Sequence, residues 1–397
     1  MKGGFVPKQA TAPADGASSP VVKVPRSKLS LREVMLVAKA GGRCEFRGCN
    51  EFLYEHALTG EAGNFAENAH IVAFREGGPR GGGDRPADID SIDNLMLLCR
   101  RDHKLIDDNP ERYPREELQA HKREHEARIR RVTGLGPSMQ TTVLAFTALV
   151  GTFKPAIGRA EMSHALLLRY PGDAFHILDL TSLGSEEPGA LYEVACRRIV
   201  QQAEALHAAG GPLEATPHLS VFGLAPIPML VMLGHAIGNK AATDFYQCHR
   251  DKPQRWTWYE GEEVARFGVR ELKRGADPAR VALVMPLSGP IAAGSIPSAI
   301  DQTCTIYEIG LVGRSPTTGF LRQREDLESF RETYRGLLAR LRGEHAGLRE
   351  LHVFPTVAAP VAVACGFDLL PKVDPTLVIY DNLMKNGGFI ERLRVNT

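Results

Sequence analysis

The sequence is short of aromatic residues, of long apolar runs and of regularly spaced cysteines. Aromatic residues make up 7% of the 397 positions, and only two of them are tryptophans. No apolar run approaches the ~20 residues that a membrane-spanning helix needs, and no apolar core precedes a cleavage site near the N-terminus. The seven cysteines are sparse and irregular, which is typical of a reducing compartment. We therefore expect a cytoplasmic protein without a signal peptide or a membrane partner.

Charge of one sign is also scarce. The chain has 48 Lys and Arg residues against 47 Asp and Glu residues, which gives a formal net charge of +1. This balance excludes binding to nucleic acid through a global positive field, so any DNA contact has to use a local basic patch. The apolar fraction of 43% and the charged fraction of 24% are ordinary for a globular protein. The length allows two or three domains.

One stretch concentrates side chains that bind metals and move protons. His70 opens the apolar run HIVAF, Asn94 opens the run NLMLLC, and His103 lies in the polar segment RRDHKLIDD. The two apolar runs predict strands, and the polar segment predicts a helix. Two histidines with an asparagine and nearby carboxylates suit hydrolysis, with one histidine as the base and the other groups around a divalent metal. Glu67 is a possible further ligand.

Three cysteines lie close to this stretch in the sequence. Cys44 and Cys49 are separated by four residues, and Cys99 stands three positions before Asp102. This spacing predicts a zinc site in which Asp102 takes the place of a fourth cysteine. His103 also offers a zinc ligand, although one histidine cannot easily serve two metal sites. The alternative is three buried cysteines that pack as small apolar residues.

The C-terminal part contains an internal repeat. The segment LSVFGLAPIPMLVMLG (219–234) matches LHVFPTVAAPVAVACG (351–366), and upstream VLAFTALVG (143–151) matches VALVMPLSG (281–289). Each copy alternates buried strands with helical patterns, which predicts α/β organisation with parallel strands. We therefore predict two tandem Rossmann-like repeats. Such units bind ligands beyond the carboxyl ends of their strands, so the pair should form one composite pocket.

An aromatic and basic cluster between residues 245 and 258 follows the first repeat. Aromatic side chains stack on bases, and Arg and Lys bind phosphates. The alternative is that the two tryptophans, which share one face of an extended strand, belong to the core. Small residues where other strands end let backbone amides approach phosphate, although each of these loops is also compatible with an ordinary turn. The candidate ligand-binding residues are Lys154, Lys240, Tyr246, Arg250, Trp256, Trp258, Ser288, Gly289, Pro355 and Thr356.

The order of His70, Asn94, Cys99, His103 and Asp107 resembles HNH nucleases of the ββα-metal fold. Such a module followed by two Rossmann-like repeats resembles the HNH–SAVED effectors of the bacterial anti-phage system CBASS. The resemblance implies an α+β ββα-metal domain followed by an α/β SAVED domain built from two CARF-like repeats. The expected segments are a disordered arm (1–29), the HNH domain (30–133), a linker (134–140) and the two repeats (141–270 and 271–397).

The resemblance also implies a function. A cyclic di- or oligonucleotide would bind the SAVED domain, drive homo-oligomerisation and switch on cleavage of double-stranded DNA. His70 would be the general base, Asn94 would orient the loop or His70, and His103 with Asp107 would hold Mg²⁺ or another divalent metal. Zn²⁺ would have a structural role. The alternative is a nucleotide-responsive DNA-binding regulator with an inactive, zinc-braced module, which the unusual Asp102 keeps open. His70 argues against it, because a binding module needs no general base.

Overall fold

The computed structural model describes residues 30–166, 168–183, 188–292, 294–345, 347–383 and 388–397. The expected disordered arm (1–29) lies outside these residues. The chain forms two units that divide between Gly134 and Leu135. Within the described ranges, no helix is long and apolar enough to span a bilayer.

The N-terminal unit begins at a capping box. The backbone N–H of Glu33 donates to Ser30 Oγ (3.2 Å), and the backbone N–H of Ser30 donates to the Glu33 carboxylate (3.1 Å). The first helix, α1 (Leu31–Ala40), is capped at its C-terminus by Gly41, which has a φ of 62° that glycine adopts at little cost. The elements of this unit are α1 (Leu31–Ala40), β1 (Ala66–His70), β2 (Leu95–Cys99), α2 (Arg100–Asp108) and α3 (Arg115–Thr133), with a 3-10 turn at Ile92–Asn94.

Strands β1 and β2 pair in antiparallel fashion, with His70 opposite Leu95, and α2 follows β2 directly. The run HIVAF was expected to be a strand, but β1 ends at His70. The reason is that the next two backbone amides turn to Asn94: Ile71 N–H donates to its carbonyl (2.8 Å), and Val72 N–H donates to its side chain (2.9 Å). The two strands and α2 form the ββα arrangement.

The C-terminal unit contains two sheets. The first repeat comprises a 3-10 turn (Pro137–Met139), β3 (Gln140–Thr147), α4 (Arg159–Ala165), β4 (Tyr170–Asp179), α5 (Pro188–His207), α6 (Pro212–Ala215), β5 (His218–Leu224), α7 (Ile227–Ile237), a 3-10 turn (Gly238–Lys240) and β6 (Ala242–Tyr246). The second repeat comprises β7 (Phe267–Lys273), β8 (Arg280–Pro286), α8 (Ser298–Thr303), β9 (Thr305–Leu311), α9 (Arg324–Glu344), β10 (Glu350–Thr356), α10 (Ala359–Phe367), β11 (Thr376–Leu383) and β12 (Gly388–Val395). The first sheet has the order β4-β3-β5-β6 and is fully parallel. The second sheet has the order β12-β11-β10-β8-β9-β7, with antiparallel edges.

The strand pairing in the two sheets corrects the alignment of the two repeats. Leu219 pairs with Thr142 in the first sheet, and its counterpart Leu351 pairs with Val281 in the second. Thr142 therefore corresponds to Val281, and the sequence match that placed residue 143 opposite 281 is one residue out of register. Strands buried on both faces lack the apolar–polar alternation that would have marked the register.

Helices α7 and α10, the repeat helices, cross through two glycines. A Cβ atom on Gly234 would lie 1.9 Å from the carbonyl oxygen of Val363, and one on Gly366 would lie 1.9 Å from that of Val231. Both glycines and both valines are matched pairs of the repeat. The two helices therefore pack symmetrically, and each helix needs a residue without a side chain at the crossing.

The repeats also share an aromatic stack. Phe222 stacks on Tyr246 with ring centroids 4.3 Å apart, and Phe354 stacks on Tyr380 at 4.4 Å. An edge-on ring completes each stack: Trp256 at 5.2 Å in the first repeat, and Phe389 at 5.3 Å in the second. Trp256 thus occupies the same core position as a phenylalanine, and it is 1% exposed.

Candidate functional sites

Asn94 ties two loops of the N-terminal unit together. Its buried side-chain amide donates to the carbonyl oxygens of Val72 (3.0 Å) and Ile89 (2.7 Å), in addition to accepting from Val72 N–H. Val72 lies just after His70, and Ile89 lies just before Asp90. The ring nitrogen Nε2 of His70 lies 2.9 Å from Asp90 Oδ1. Asn94 therefore positions both members of a His–Asp pair, which is the arrangement of an oriented general base.

His103 lies between two carboxylates. Its Nδ1 is 2.7 Å from Glu67 Oε2 on β1, and its Nε2 is 3.3 Å from Asp107 Oδ2, one helical turn along α2. The two ring nitrogens point in different directions, with Glu67 beside Nδ1 and Asp107 beside Nε2. A metal ion bound to one of these nitrogens therefore cannot also bind the carboxylate beside the other. Two ligands with bonds of about 2.1 Å stand roughly 3.0–3.4 Å apart on one ion. That spacing fits His103 Nε2 with Asp107, while Glu67 at hydrogen-bond distance fits a carboxylate that fixes the ring.

The structure therefore sorts the side chains of the predicted hydrolytic centre into two groups. One group is His70 with Asn94 and Asp90, and the other is His103 with Asp107 and Glu67. Among the described contacts the two histidines share no partner. The partnership of Asp90 with His70 was not found from the sequence, because 20 residues separate them and nothing in the local pattern marks the contact.

The cysteines and Asp102 come together. The sulfur atoms of Cys44, Cys49 and Cys99 and a carboxylate oxygen of Asp102 all lie within 4.8 Å of one another. Asp102 Oδ2 is 3.4 Å from the sulfur of Cys44 and 3.2 Å from that of Cys99. Three thiols and one carboxylate at this spacing fit the four-ligand set of a structural zinc. His103 is turned toward Glu67 and Asp107 instead.

Protonation of this cluster depends on a cation. Burial raises the pKa of the Cys44 thiol, and burial raises the pKa of Cys99 to about 11. Burial alone would also raise the pKa of Asp102, but hydrogen bonds from Cys49, Cys99, Cys44 and Arg101 outweigh it and lower that pKa overall. The thiols of Cys44 and Cys99 therefore stay protonated beside an ionised carboxylate unless a metal binds, since a bound dication deprotonates coordinating thiols.

A cavity of about 960 Å³ lies in the C-terminal unit. Its wall includes Leu224 and Gln247 from the ends of β5 and β6, and Ser288 and Val357 from just beyond β8 and β10. It therefore opens at the carboxyl ends of parallel strands in both repeats, which is where such folds bind ligands. Further lining residues are Phe153, Cys248, His249, Arg250, Asp251, Arg255, Thr317, Thr318, Gly319, Arg322, Ala358 and Ala359.

The arginines of the cavity differ in the ion pairs that they form. Arg322 contacts Asp251 (3.5 Å) and Glu262 (2.8 Å). Arg250 makes no ion pair or side-chain hydrogen bond among the described residues. His249 is 6% exposed, and burial together with the neighbouring Lys252 cation lowers its pKa to about 4. The cavity is therefore cationic through its arginines, with a neutral imidazole beside them.

Two of the predicted ligand-binding residues, Arg250 and Ser288, line this cavity. The Oγ of Thr356 donates to the Gly289 carbonyl oxygen (2.7 Å), so these two residues hold the adjoining loop. Trp258 is half-buried, and its ring packs against His249 with centroids 5.7 Å apart.

Other predicted ligand-binding residues do not line this cavity. Tyr246 and Trp256 are each 1% exposed and leave no ring face for a base, and Pro355 is buried within β10. Lys154 lines a separate cavity of about 280 Å³. Lys240 precedes β6 and so belongs to the amino edge of the sheet. An aromatic and basic cluster looks the same in sequence whether its rings stack on a ligand or on the core.

The cavity wall also includes Arg322, Thr317 and Thr318, which the sequence did not identify as ligand-binding residues. They come from the loop between β9 and α9, which lies outside the matched repeat segments. Thr317 N–H donates to the Leu287 carbonyl oxygen (3.0 Å), which brings the loop to the end of β8. No local pattern distinguishes this loop from an exposed one.

Two family models match the chain. The model described as "HNH endonuclease" matches residues 44–109, and the model of SAVED, the "SMODS-associated and fused to various effectors sensor domain", matches residues 200–395. No curated protein matches the sequence. The two matches define a nuclease domain joined to a sensor domain, and the predicted fold class is confirmed. The endonuclease match lies N-terminal to the SAVED match, which agrees with the expected resemblance to HNH–SAVED effectors.

Solved structures of Cap4 SAVED/CARF-domain receptors are also similar. The Acinetobacter baumannii receptor with the cyclic trinucleotide 3'3'3'-cAAA is 14% identical, with a TM-score of 0.41, and the match covers 78% of this chain and 65% of that one. The same receptor with 2'3'3'-cAAA is 13% identical, with a TM-score of 0.42, and the match covers 78% of this chain and 64% of that one. The Moraxella osloensis receptor is 11% identical, with a TM-score of 0.39, and the match covers 74% of this chain and 60% of that one. The chain thus spans less than two thirds of these receptors, and a likeness at this level carries no inference about its ligand.

Proposed function

We propose that this protein is a metal-dependent endonuclease that cleaves double-stranded DNA in anti-phage defence once a cyclic oligonucleotide has bound. One observation carries the proposal: a cavity of about 960 Å³ with arginines on its wall opens at strand ends of both repeats, in a chain that also holds an HNH domain. A sensor site and a hydrolytic centre on one chain support control of the second by the first.

The cavity suits a nucleotide ligand in size and chemistry. About 960 Å³ lies at the upper end of ordinary ligand pockets. Arginine guanidinium groups bind phosphate oxygens in pairs of hydrogen bonds, and Arg250, Arg255 and Arg322 supply them. The apolar groups of Leu224 and Val357 offer surface for a base or a sugar. Two of the three arginines follow β6, so the pocket is asymmetric and favours a ligand with two unlike halves.

The two groups of side chains have separate roles in the proposed hydrolysis: one accepts a proton, and the other holds the metal. His70 uses Nε2 to contact Asp90, which leaves Nδ1 to take the proton of the attacking water. His103 Nε2 and Asp107 Oδ2 would hold the divalent cation, with Glu67 fixing the His103 ring through Nδ1. When bound, Mg²⁺ or a related ion supplies positive charge beside the scissile phosphate.

Cys44, Cys49, Cys99 and Asp102 would hold a structural zinc. Cys99 ends β2 and Asp102 lies in the first turn of α2, so the site would fix the start of the helix that carries His103. Folding and zinc binding would then be coupled.

Ligand binding would drive association of chains. A ligand activates only by favouring the active arrangement over the inactive one. Association is the simplest such arrangement, because one hydrolytic centre cuts one strand and two neighbouring chains could cut both. The partners are therefore DNA, a cyclic oligonucleotide and further copies of the chain.

A plasmid-nicking assay tests the proposal. The purified full chain is incubated with supercoiled plasmid, with and without Mg²⁺, across a panel of cyclic di- and trinucleotides. We expect cleavage only when Mg²⁺ and one member of the panel are both present, and light scattering should then detect a larger assembly. Full cleavage without any cyclic nucleotide would contradict the proposal. Ligand and DNA binding without cleavage under any metal would favour a DNA-binding regulator.

A further inference from the structure

Arg80 lies in the Gly-rich loop between His70 and Asn94, and its side chain is only 5% exposed. Its Nε donates to the carbonyl oxygen of Ile71 (2.8 Å), and its Nη1 donates to that of Ile106 (2.7 Å). Its Nη2 donates to Asp107 Oδ1 (2.9 Å). A buried guanidinium is stable only when paired and hydrogen-bonded, and here all three nitrogens have partners. Arg80 therefore connects the end of β1 to α2.

The backbone conformation of the loop places the Arg80 side chain against Ile71, Ile106 and Asp107. Arg80 has a φ of 56°, in the left-handed region that non-glycine residues seldom occupy. Its flanking turns are closed by Gly78 N–H to the Arg75 carbonyl oxygen (3.0 Å) and by Gly81 N–H to that of Gly78 (3.0 Å). A Cβ atom on Gly81 would lie 2.5 Å from the Glu76 carbonyl oxygen. Strained backbone of this kind persists where surrounding contacts hold it, and here those contacts are the three bonds of Arg80.

The side chain fixes which oxygen of Asp107 faces His103. Arg80 binds Oδ1, and Oδ2 is the atom that lies 3.3 Å from His103 Nε2. Without the guanidinium, the carboxylate could rotate about its own bonds, since its side chain is 39% exposed. We propose that Arg80 is a positioning residue, which presents Asp107 to the divalent cation through one oxygen only. The inference rests on the proposed role of His103 and Asp107 as metal ligands.

One-oxygen binding has a chemical consequence. A carboxylate that binds an ion through both oxygens uses two coordination positions, whereas Asp107 held by Arg80 would use one. The remaining positions would then be open for water and for the phosphate oxygens of the substrate. Loss of an outer partner of a metal ligand typically weakens metal binding by about 10–100-fold.

The test measures Mn²⁺ binding to the full chain, after the cysteine cluster has been loaded with zinc. Electron paramagnetic resonance of free Mn²⁺ gives the Kd without any cleavage assay. Arg80→Met should raise the Kd by about 10–100-fold. Arg85→Met is the matched control, because Arg85 lies in the same loop and, among the described contacts, donates only to the carbonyl oxygens of Gly81 (3.2 Å) and Phe74 (2.8 Å). It should bind Mn²⁺ as the wild type does.

A second comparison separates positioning from stability. In an Asp107→Asn background, Arg80→Met should weaken Mn²⁺ binding little further, because Arg80 acts through Asp107. If Arg80→Met does not fold, Arg80→Gln keeps a donor for the loop carbonyls but loses the charge that holds Asp107, and it should still weaken binding. A folded Arg80→Met or Arg80→Gln protein with wild-type Mn²⁺ affinity would overturn this inference alone. A wild-type chain that binds no Mn²⁺ would overturn the proposed metal centre together with it.

Discussion

In the N-terminal unit the candidate nuclease side chains touch one another, whereas in the C-terminal unit the candidate sensor residues surround an open space. His103 is 2.7 Å from Glu67, and each member of that unit's two groups has a fixed partner. In the cavity, Arg322 is paired with carboxylates that a ligand could displace, and Arg250 has no such pairing among the described contacts. The difference indicates that the candidate nuclease groups are already ordered within the unit, while the cavity holds charged groups that the proposed ligand could engage.

The largest expected effect is the loss of DNA cleavage on His70→Ala substitution in the N-terminal unit. It removes the proposed general base, so ligand-stimulated cleavage should fall by ~10²–10⁴-fold. Ligand affinity should not change, because the cavity belongs to the other unit. Plasmid nicking gives the rate, and calorimetry gives the affinity. His56→Ala is the control, since His56 is an exposed histidine of the same unit that contacts Thr59. Normal nicking by a folded His70→Ala protein would refute the assignment.

The Cys99→Ser substitution asks whether the order of the N-terminal unit depends on zinc. The wild type should contain about one zinc per chain, and the variant should lose it. Because zinc binding contributes directly to folding, the unit should lose about 4 kcal/mol or more of stability. Metal analysis and urea unfolding measure both quantities. Cys196→Ser, a substitution in α5, serves as the control. Equal zinc content and equal unfolding in all three proteins would mean that the cysteines are only packed.

The Gly366→Ala substitution tests the packing that holds the two repeats around the cavity. The new Cβ would meet the Val231 carbonyl oxygen at 1.9 Å, and backbone cannot move aside as a side chain does. We expect a loss of about 3 kcal/mol or more in the free energy of unfolding. Gly336→Ala is the matched control, because Gly336 lies in α9 with no atom within 4 Å of the new Cβ. It should stabilise the helix by up to ~1 kcal/mol. Equal urea midpoints for the two variants would contradict the crossing.

Functional residues that lie in short local patterns are recognisable from the sequence, whereas residues that act through distant contacts are not. The histidines, Asn94 and the cysteines are recognisable because each lies in a short pattern with its own strand or helix. Arg80 and Asp90 act across 27 and 20 residues, and no local pattern encodes such a contact. The misplaced candidates Tyr246 and Trp256 have the right composition for a ligand site. Only sheet pairing, which sets Tyr246 beside Phe222, shows that they complete a repeated core stack.

The smallest predicted effect concerns the displaceable pairing in the cavity. Asp251 lines the cavity, and its carboxylate is 3.5 Å from Arg322, so an incoming phosphate has to compete with it and approach a like charge. Asp251→Asn removes both the competition for Arg322 and the repulsion between the carboxylate and the phosphate. Because the Asp251 side chain is 60% exposed and solvent weakens the pair, we expect only about a two- to fivefold gain in affinity for the cyclic nucleotide that the nicking panel selects. The gain should shrink as salt rises, since exposed charges are screened.

Calorimetry at two salt concentrations measures the effect of Asp251→Asn. Glu263→Gln is its control, because it removes an equal charge from the same unit, where Glu263 pairs with Arg314 at 3.2 Å outside the cavity wall. An affinity gain shared by both variants would assign the effect to overall charge. A gain confined to Asp251→Asn would mean that the carboxylate competes for Arg322 and so sets the ligand concentration at which the sensor responds. Weaker binding by Asp251→Asn would instead make Asp251 a direct ligand contact, and the cavity would then recognise a base or sugar, rather than a phosphate, at this point.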